Sequence, residues 1–476
     1  MNSSGDTAKT YFRHTTKTSF DGGIGSILRG SKFEDLKQPT TMTANMASKG
    51  SGLEIAIVGA GIAGLSAAIA LSQRGHSVTL YEKSRFSNEI GAAIVLAPNA
   101  TRILRRWGFD FEAAGAVVNH RMRRIAADTL ELDSEVGYED TEARYGSPWL
   151  LLHRADLHQG LRTLLAASSS NAKIELASEV ISIECQAGTL TLADGQTIKK
   201  DLLVVADGAH CRHLPLFTRG NDVPIVKTPL SIYRFLLPVQ DIMADPATKD
   251  LFEGFPTGFT TFYKTEVGRP GNLLQTYPCR GGETMYCGLV HLTKPDEKNI
   301  EGWNHPATVV DCLSSAKDFH PSLIALLEKG SDMKVYNQCF RPSIPSFVQG
   351  KAVLIGDSAH FMLPVHGQGA SVSIEDAAAL GVLFEGVVAE SAAAAVVEER
   401  LGLFQKVRHP RATATQALSN FMMAGAGKVA AEAGKYYQGE LPPASSRTFS
   451  REYCDFFFGY DVVEDAQRML DDSSKV

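Results

Sequence analysis

LEIAIVGAGIAGLSAAIALSQRGHSVTLYEKS, residues Leu53 to Ser84, reads as a strand, a glycine turn, a helix and a second strand. Leu53, Ile55, Ile57 and Val58 form an apolar run short enough for a buried parallel strand. Gly59, Gly61 and Gly64 follow in G-x-G-x-x-G spacing. The first glycine permits a tight turn, the second lets backbone approach a pyrophosphate, and the third lets the helix pack closely on the strand. Ile62 to Gln73 supplies that helix, whose N-terminal amides and dipole favour phosphate. The second strand, Val78 to Tyr81, ends at Glu82, roughly 20 residues beyond the glycines, where a ribose 2′-hydroxyl is bound in such units. Flanking strands and a terminal acid turn a weak glycine pattern into a dinucleotide-binding unit.

Outward from this unit, 476 residues are enough for two or three domains. A content of 44% hydrophobic and 21% charged residues is that of an ordinary globular protein. The net charge of −6 gives no electrostatic reason to expect nucleic acid or an anionic membrane as partner. Seven scattered cysteines, none in C-x-x-C, argue for a reduced compartment and against a zinc site or disulfide framework. No metal site is expected: His360 and His366 are six apart across a proline turn. No apolar run is long enough to span a bilayer, and a cytoplasmic location is the default. Residues 1–50, rich in Ser, Thr, Lys and Gly, are expected to be disordered, with a basic presequence or a later start at Met42 or Met46 as alternatives.

Along the chain, EIGAAIVLAPNATRILRRWG (89–108) offers Gly91, Ala92 and Ala93 as small residues where backbone passes near a cofactor. LLHRADLHQGLRTLL (151–165) places Arg154 at a strand-to-helix junction, either to meet a phosphate or to cap Asp156 from the surface. Residues 173–206 alternate like a small antiparallel meander that ends in DLLVVADGAH, a buried strand closing at Asp207-Gly208. KAVLIGDSAHFMLPVHGQGASVSIEDAAAL (351–380) repeats the theme, with Gly356-Asp357 and then Gly367-Gln368-Gly369 opening a helix. Acids at the C-terminal ends of apolar strands lie where open α/β sheets bind ligands. The intervening 216–340 reads as a separate sheet with few helices, and 381–435 as Ala-rich helix. Gly425-Ala426-Gly427 resembles a nucleotide loop but follows a helix, not a strand.

With those residues in view, the chain resembles the class A FAD-dependent monooxygenases, in particular fungal salicylate hydroxylase-like proteins, from about residue 53 to 460. The resemblance rests on GAGIAGL with Glu82, on ADGAH and on GDSAHFMLPVHGQGASVSIEDAAAL, in that order, with echoes at LHRADL, YRFLLP (233–238), YPCRGGE (277–283) and RHPRA (408–412). It implies an α/β fold: a Rossmann-type FAD-binding domain of the para-hydroxybenzoate hydroxylase kind, with an inserted, mainly antiparallel substrate sheet and a helical C-terminal region. The implied divisions are 51–215 and 341–390 for the FAD domain, 216–340 for the substrate sheet and 391–476 for the helical region.

The resemblance also implies roles. Gly59, Gly61 and Gly64 would cradle the FAD pyrophosphate, Glu82 would bind the ribose, and Ala93 and Arg154 would contact the cofactor. Asp207 would serve both FAD and a transient NADPH or NADH. Asp357 would hold the ribityl chain, Pro364 would lie beside the isoalloxazine, and Gly367, Gly369 and Ala370 would bring a helix start to the flavin pyrimidine edge, where negative charge develops. The implied reaction consumes O2 and NAD(P)H and inserts one oxygen atom into an aromatic substrate through a flavin C4a-hydroperoxide. The substrate is a salicylate-like or polyketide phenol; the alternative is epoxidation or dearomatising hydroxylation of a larger fungal metabolite such as an alkaloid or terpenoid. On SIYRFLLP, alternation sets Arg234 on the face opposite Tyr233 and Phe235. Arg234 and Tyr277 are the catalytic candidates, as an anion-binding group and a hydrogen-bond partner, with a core aromatic the other reading of Tyr277. Four positions depart from the family: Cys211 and Leu214 stand where its Asp-Gly motif carries serine and arginine, with Arg212 nearby, Phe361 where a proline usually follows the GDSAH stretch, and His366 where an apolar residue is common. His366 is either a general base or, more simply, a histidine packed at a turn.

Overall fold

A computed structural model of the chain describes residues 51–85, 92–168, 170–253, 257–264, 271–302, 304–389, 394–420 and 426–475. The expected disordered segment 1–50 and Gly91 lie outside the described residues.

The opening stretch forms the centre of a six-stranded sheet. Its order is Val348–Gln349, Ala352–Leu354, Leu202–Val205, Glu54–Val58, Ser77–Glu82, Ala172–Leu176. Neighbours run parallel except for the terminal hairpin of 348–354. Ile55 and Ile57 are fully buried, as is every residue of Leu202–Val205. Both faces of these strands are therefore covered, the condition under which parallel strands read as unbroken apolar runs. Helix Ile62–Ser72 packs between the sheet, helix Arg154–Ser168 and helix Gly369–Leu383. The last of these is buried from Ser371 to Leu383.

Two parts of the sequence reading need correction here. Ala172–Leu176 does not begin a meander but extends the parallel sheet beside Ser77–Glu82. The meander is the three strands Val180–Glu184, Thr189–Leu192 and Thr197–Lys199. The second sheet also begins earlier in the chain than residue 216. It has eight strands in the order His305–Pro306, Lys334–Phe340, Val226–Pro238, Thr284–Leu292, Leu273–Cys279, Phe259–Tyr263, Arg121–Ala126, Leu132–Gly137. All pairs are antiparallel save Phe259–Tyr263 with Arg121–Ala126.

One face of this sheet carries Tyr233, Phe235, Leu237 and Leu289 onto helix Pro321–Glu328, through Leu323, Leu326 and Leu327. The other face turns Phe259, Tyr277, Tyr286 and Leu236 toward Val117, Leu151, Ala93 and Val95 of the nucleotide-binding half. The carboxy-terminal region is helical, with helices Ala394–Ser419, Ala426–Ala433, Arg451–Phe458 and Val462–Ser473. Among the described residues no helix is long and apolar enough to cross a membrane.

Candidate active site

The glycine turn is shaped by close backbone approach. Gly59 has φ +94°, and a Cβ there would lie 2.5 Å from the carbonyl oxygen of Ala206. A Cβ at Gly64 would lie 2.0 Å from the carbonyl oxygen of Gly59, so only glycine lets the helix sit this close. At Gly61, by contrast, no atom comes within 4 Å of an added Cβ. Helix Ile62–Ser72 starts there with no side-chain cap and no acid in its first turn. Its first amides and the positive end of its dipole are left for an anion, which fits the pyrophosphate of a dinucleotide. Glu82 closes the neighbouring strand; its carboxylate accepts from Ala60 N at 2.9 Å and from Ser84 N at 2.8 Å, so it braces the turn at its rim.

Ala93 opens the strand Ala93–Leu96, and Arg154 N donates to Ala92 O at 2.8 Å. The surface-cap reading of Arg154 fails, because Asp156 is held by Arg280 at 2.9 Å and by His153 at 3.3 Å. The positive charge of Arg154 acts on Asp357 instead. Burial pushes the Asp357 carboxyl up from the usual range, against the pull of His360, Arg154 and Arg341.

The two acid motifs meet through Ser358. Its hydroxyl accepts from Gly208 N at 2.9 Å and donates to Asp207 Oδ1 at 3.1 Å. Cys211 is buried, and desolvation, followed by the nearby Asp207 carboxylate, raises its thiol far above the usual range, so it is a neutral partner of that acid. Leu214 lies in the main core, and Arg212 pairs at the surface with Glu179 at 3.1 Å. Neither puts a cation beside Asp207. That place belongs to Arg341, whose Nη2 donates to Ala209 O at 2.8 Å.

Gly367 leads into the helix Gly369–Leu383, which has Gln368 at its N-cap and no acid in its first turn. Pro364 and Ala370 flank this start, so it too presents a positive dipole end. Beneath it lies a charged network that sequence reading missed. Asp376 accepts from Gly356 N at 3.0 Å, from His360 Nε2 at 2.7 Å and from Arg408 Nε at 2.9 Å. Arg408 also meets Glu375 at 2.8 Å, and Asn99 donates to Glu375 at 2.6 Å. These side chains are almost wholly excluded from water. The only sequence signal was the unexplained density of charge in IEDAAAL and RHPRA.

His366 is packed, not presented. It is 2% exposed and stacks on Tyr453 with ring centroids 4.7 Å apart. Neither ring nitrogen has a hydrogen-bond partner among the described residues, and burial lowers its pKa to about 3.

On the inner face of the eight-stranded sheet, Arg234 lies over the ring of Tyr336 at 4.7 Å. Tyr277 stacks on Phe259 at 5.1 Å and meets Tyr286, its cross-strand partner, at 4.8 Å. Arg234 and Tyr277, 43 positions apart, thus share one face through the register of Leu236 with Tyr286 and of Tyr286 with Tyr277, and Tyr336, opposite Ile232, joins them. Phe449 closes the face from the carboxy-terminal side: its ring is 6.4 Å from Phe259, 5.4 Å from Trp149 and 6.1 Å from His366. Its backbone sits at φ +63°, and its carbonyl accepts from the Tyr138 hydroxyl at 2.6 Å. Tyr263 lies apart, under Arg124.

Comparison with known proteins identifies the family and the fold. Residues 52–419 match the family described as FAD binding domain. The FAD-dependent monooxygenase cfoG of Aspergillus candidus is 34% identical over 376 residues, 78% of this chain and 85% of that protein. Hispidin-3-hydroxylase of Neonothopanus nambi is 29% identical over 441 residues, 90% and 98% of the two chains. A substrate complex of salicylate hydroxylase shares the fold with a TM-score of 0.67 at 22% identity, covering 88% of this chain and 98% of that one. The chain belongs to the FAD binding domain family and, within it, to the FAD-dependent monooxygenases.

Proposed function

We propose that the protein hydroxylates a phenolic aromatic substrate, salicylate-like or a polyketide phenol, at the expense of O2 and NADPH or NADH. The overall balance is substrate C–H, O2, NAD(P)H and a proton giving substrate C–OH, water and NAD(P)+. The observation that carries the reading is the placement of Arg234 with Tyr277, Tyr286 and Tyr336 on the one sheet face that turns toward the nucleotide-binding half. A guanidinium above an aromatic wall suits a flat anion or phenol: it pairs with oxygen while the rings cover the carbon skeleton. One relative is named for 3-hydroxylation of hispidin, which points the same way.

When bound, FAD supplies hydride acceptance and oxygen activation. The chain's own residues do the rest. The amides after Gly61 hold the pyrophosphate, with Gly59 and Gly64 shaping the turn. Glu82 takes the ribose hydroxyls while bracing Ala60. Ala93 lets backbone pass the cofactor, and Arg154 and Asp357 hold its middle. Asp207, fixed by Ser358, would serve FAD and the passing hydride donor. With FAD bound, the helix start at Gly367, Gly369 and Ala370, beside Pro364, would offer its positive dipole end to negative charge on the flavin. Arg234 and Tyr277 orient the substrate oxygen, and Phe449 excludes water from the aromatic side.

Anaerobic stopped-flow mixing of the flavin-loaded protein with NADPH or NADH, with and without simple phenols, tests the reading. We expect one aromatic to accelerate flavin bleaching. Arg234→Ala is expected to keep its flavin and lose about tenfold or more of that acceleration, consistent with loss of a charge-assisted pair of about 1.5–3 kcal/mol. Acceleration equal to that of the parent protein would remove Arg234 from the site. Bound flavin indifferent to every simple aromatic would overturn the phenolic reading in favour of a larger metabolite.

A further inference from the structure

Among the described residues, Arg341 is a buried cation that no carboxylate neutralises directly. It is 6% exposed, and its side chain donates only to neutral carbonyls: Nη2 to Ala209 O at 2.8 Å and Nε to Val223 O at 3.0 Å. Its Nη1 has no hydrogen-bond partner among the described residues. The other two arginines buried to this degree among the described residues are both compensated. Arg408 meets Asp376 and Glu375, and Arg411 lies 3.6 Å from Glu375. An unpaired buried charge is costly, and proteins pair such groups unless the charge itself is wanted.

The position of Arg341 suggests what it is for. Its amide donates to Phe361 O at 3.1 Å, and Gln416 Nε2 donates to both carbonyls, of Arg341 at 2.9 Å and of Phe361 at 3.1 Å. The backbone is thereby tied to the end of the Gly356–Phe361 turn. The side chain crosses to the loop after Asp207-Gly208. One residue so joins the two acid loops, and its charge acts on both Asp207 and Asp357. Cys211, neutral beside Asp207, supplies no anion in return. Arg212 and Leu214, nearer in sequence, put no cation there.

We infer that Arg341 is an electrostatic positioning residue that joins the Asp207 and Asp357 loops and holds positive potential at the cofactor cleft, so that it sets how readily bound flavin is reduced. Hydride transfer from NAD(P)H moves two electrons and one proton to neutral flavin and leaves NAD(P)+ behind. The cofactor gains one negative charge, which a nearby buried cation favours and two unopposed carboxylates disfavour. The inference rests on FAD occupying this cleft.

The test is the two-electron midpoint potential of the flavin-loaded protein, read by dye equilibration, alongside the FAD dissociation constant from flavin fluorescence. Arg341→Gln should make reduction about tenfold less favourable, about 30 mV lower for a two-electron couple. Arg341→Lys, which keeps the charge but not the fork, should stay within about threefold of the parent equilibrium. A flavin-loaded Arg341→Gln protein with the parent potential would overturn the inference, as would equal shifts in the two variants, which would assign the effect to guanidinium geometry. Should Arg341→Gln hold no flavin, Arg341→Lys still decides: flavin retained at the parent potential supports the charge, and loss of flavin there too overturns it. A parent protein that takes up no FAD would remove the cofactor reading itself, a distinct outcome.

Discussion

Arg408→Met is expected to destabilise the flavin-loaded protein by about 3–5 kcal/mol, the usual cost of removing one partner from a buried ion pair. The side chain is fully buried and answers two carboxylates, Asp376 at 2.9 Å and Glu375 at 2.8 Å. Burial alone would raise the Asp376 carboxyl, but His360 and Arg408 outweigh it and hold it below the usual range. Without Arg408, both acids remain in a medium that cannot hydrate them, and each must take up a proton or draw in water. Asp376 also anchors Gly356 N, so the damage should reach the turn that carries Asp357. Urea unfolding at neutral pH measures the effect. Pairing the change with Asp376→Asn should recover part of the loss, because it removes one stranded charge. A midpoint unmoved by Arg408→Met would show that the network contributes nothing to stability.

The second large effect is on the pH dependence of stability, and it comes from His366. Its folded pKa of about 3 lies far below the ordinary value of 6.5. Below about pH 6.5 the unfolded chain binds a proton there that the folded chain refuses, so stability is complete above that pH and falls as pH drops toward 3. The slope is about 1.4 kcal/mol per pH unit, or about 2 kcal/mol by pH 5. Burial also lowers the pKa of His76, His120, His213 and His409, which adds to the total slope. The difference between parent and His366→Phe isolates the one residue. The variant should unfold with a shallower dependence on pH between 7.5 and 5. At pH 7.5 it should be no less stable, since two unpartnered nitrogens leave the aromatic cluster of Phe449, Tyr453 and Phe457. Superimposable pH profiles would refute this assignment.

What could be read from sequence follows from how locally each feature is encoded. The strand, turn and helix of Leu53 to Ser84 are specified within 32 consecutive residues, because turn, helix start and ribose acid must all lie in one unit. The placing of Arg234 on the face opposite Tyr233 and Phe235 was legible for a similar reason: period-two alternation is a local rule. The strands Arg121–Ala126 and Leu132–Gly137 escaped because the second is an exposed edge strand and the first, one place in, buries only Ile125. Their charges pair across the hairpin, as Arg123 does with Glu135 at 2.7 Å, and leave no apolar period to detect. The Glu375–Asp376–Arg408 network escaped because its members are 32 and 33 residues apart on separate helices. Charged residues on helices ordinarily face solvent, and nothing local shows that these do not. Arg341 and Tyr336 fall outside the motif stretches, and only the tertiary fold brings them to the cleft.

The interleaving of the two sheets bears on protein engineering. The aromatic face around Tyr277 draws Val117 and Met122 from one stretch, Leu236, Phe259 and Tyr286 from a second, and Phe449 from a third, near the carboxy terminus. The parallel sheet, meanwhile, is assembled from strands on either side of the second stretch. A chimera that exchanged only residues 226–340 with a relative would therefore pair a new floor with old walls. Transplanting a specificity would require three matched cuts, at the hairpin, the central insert and the Phe449 segment, moved together.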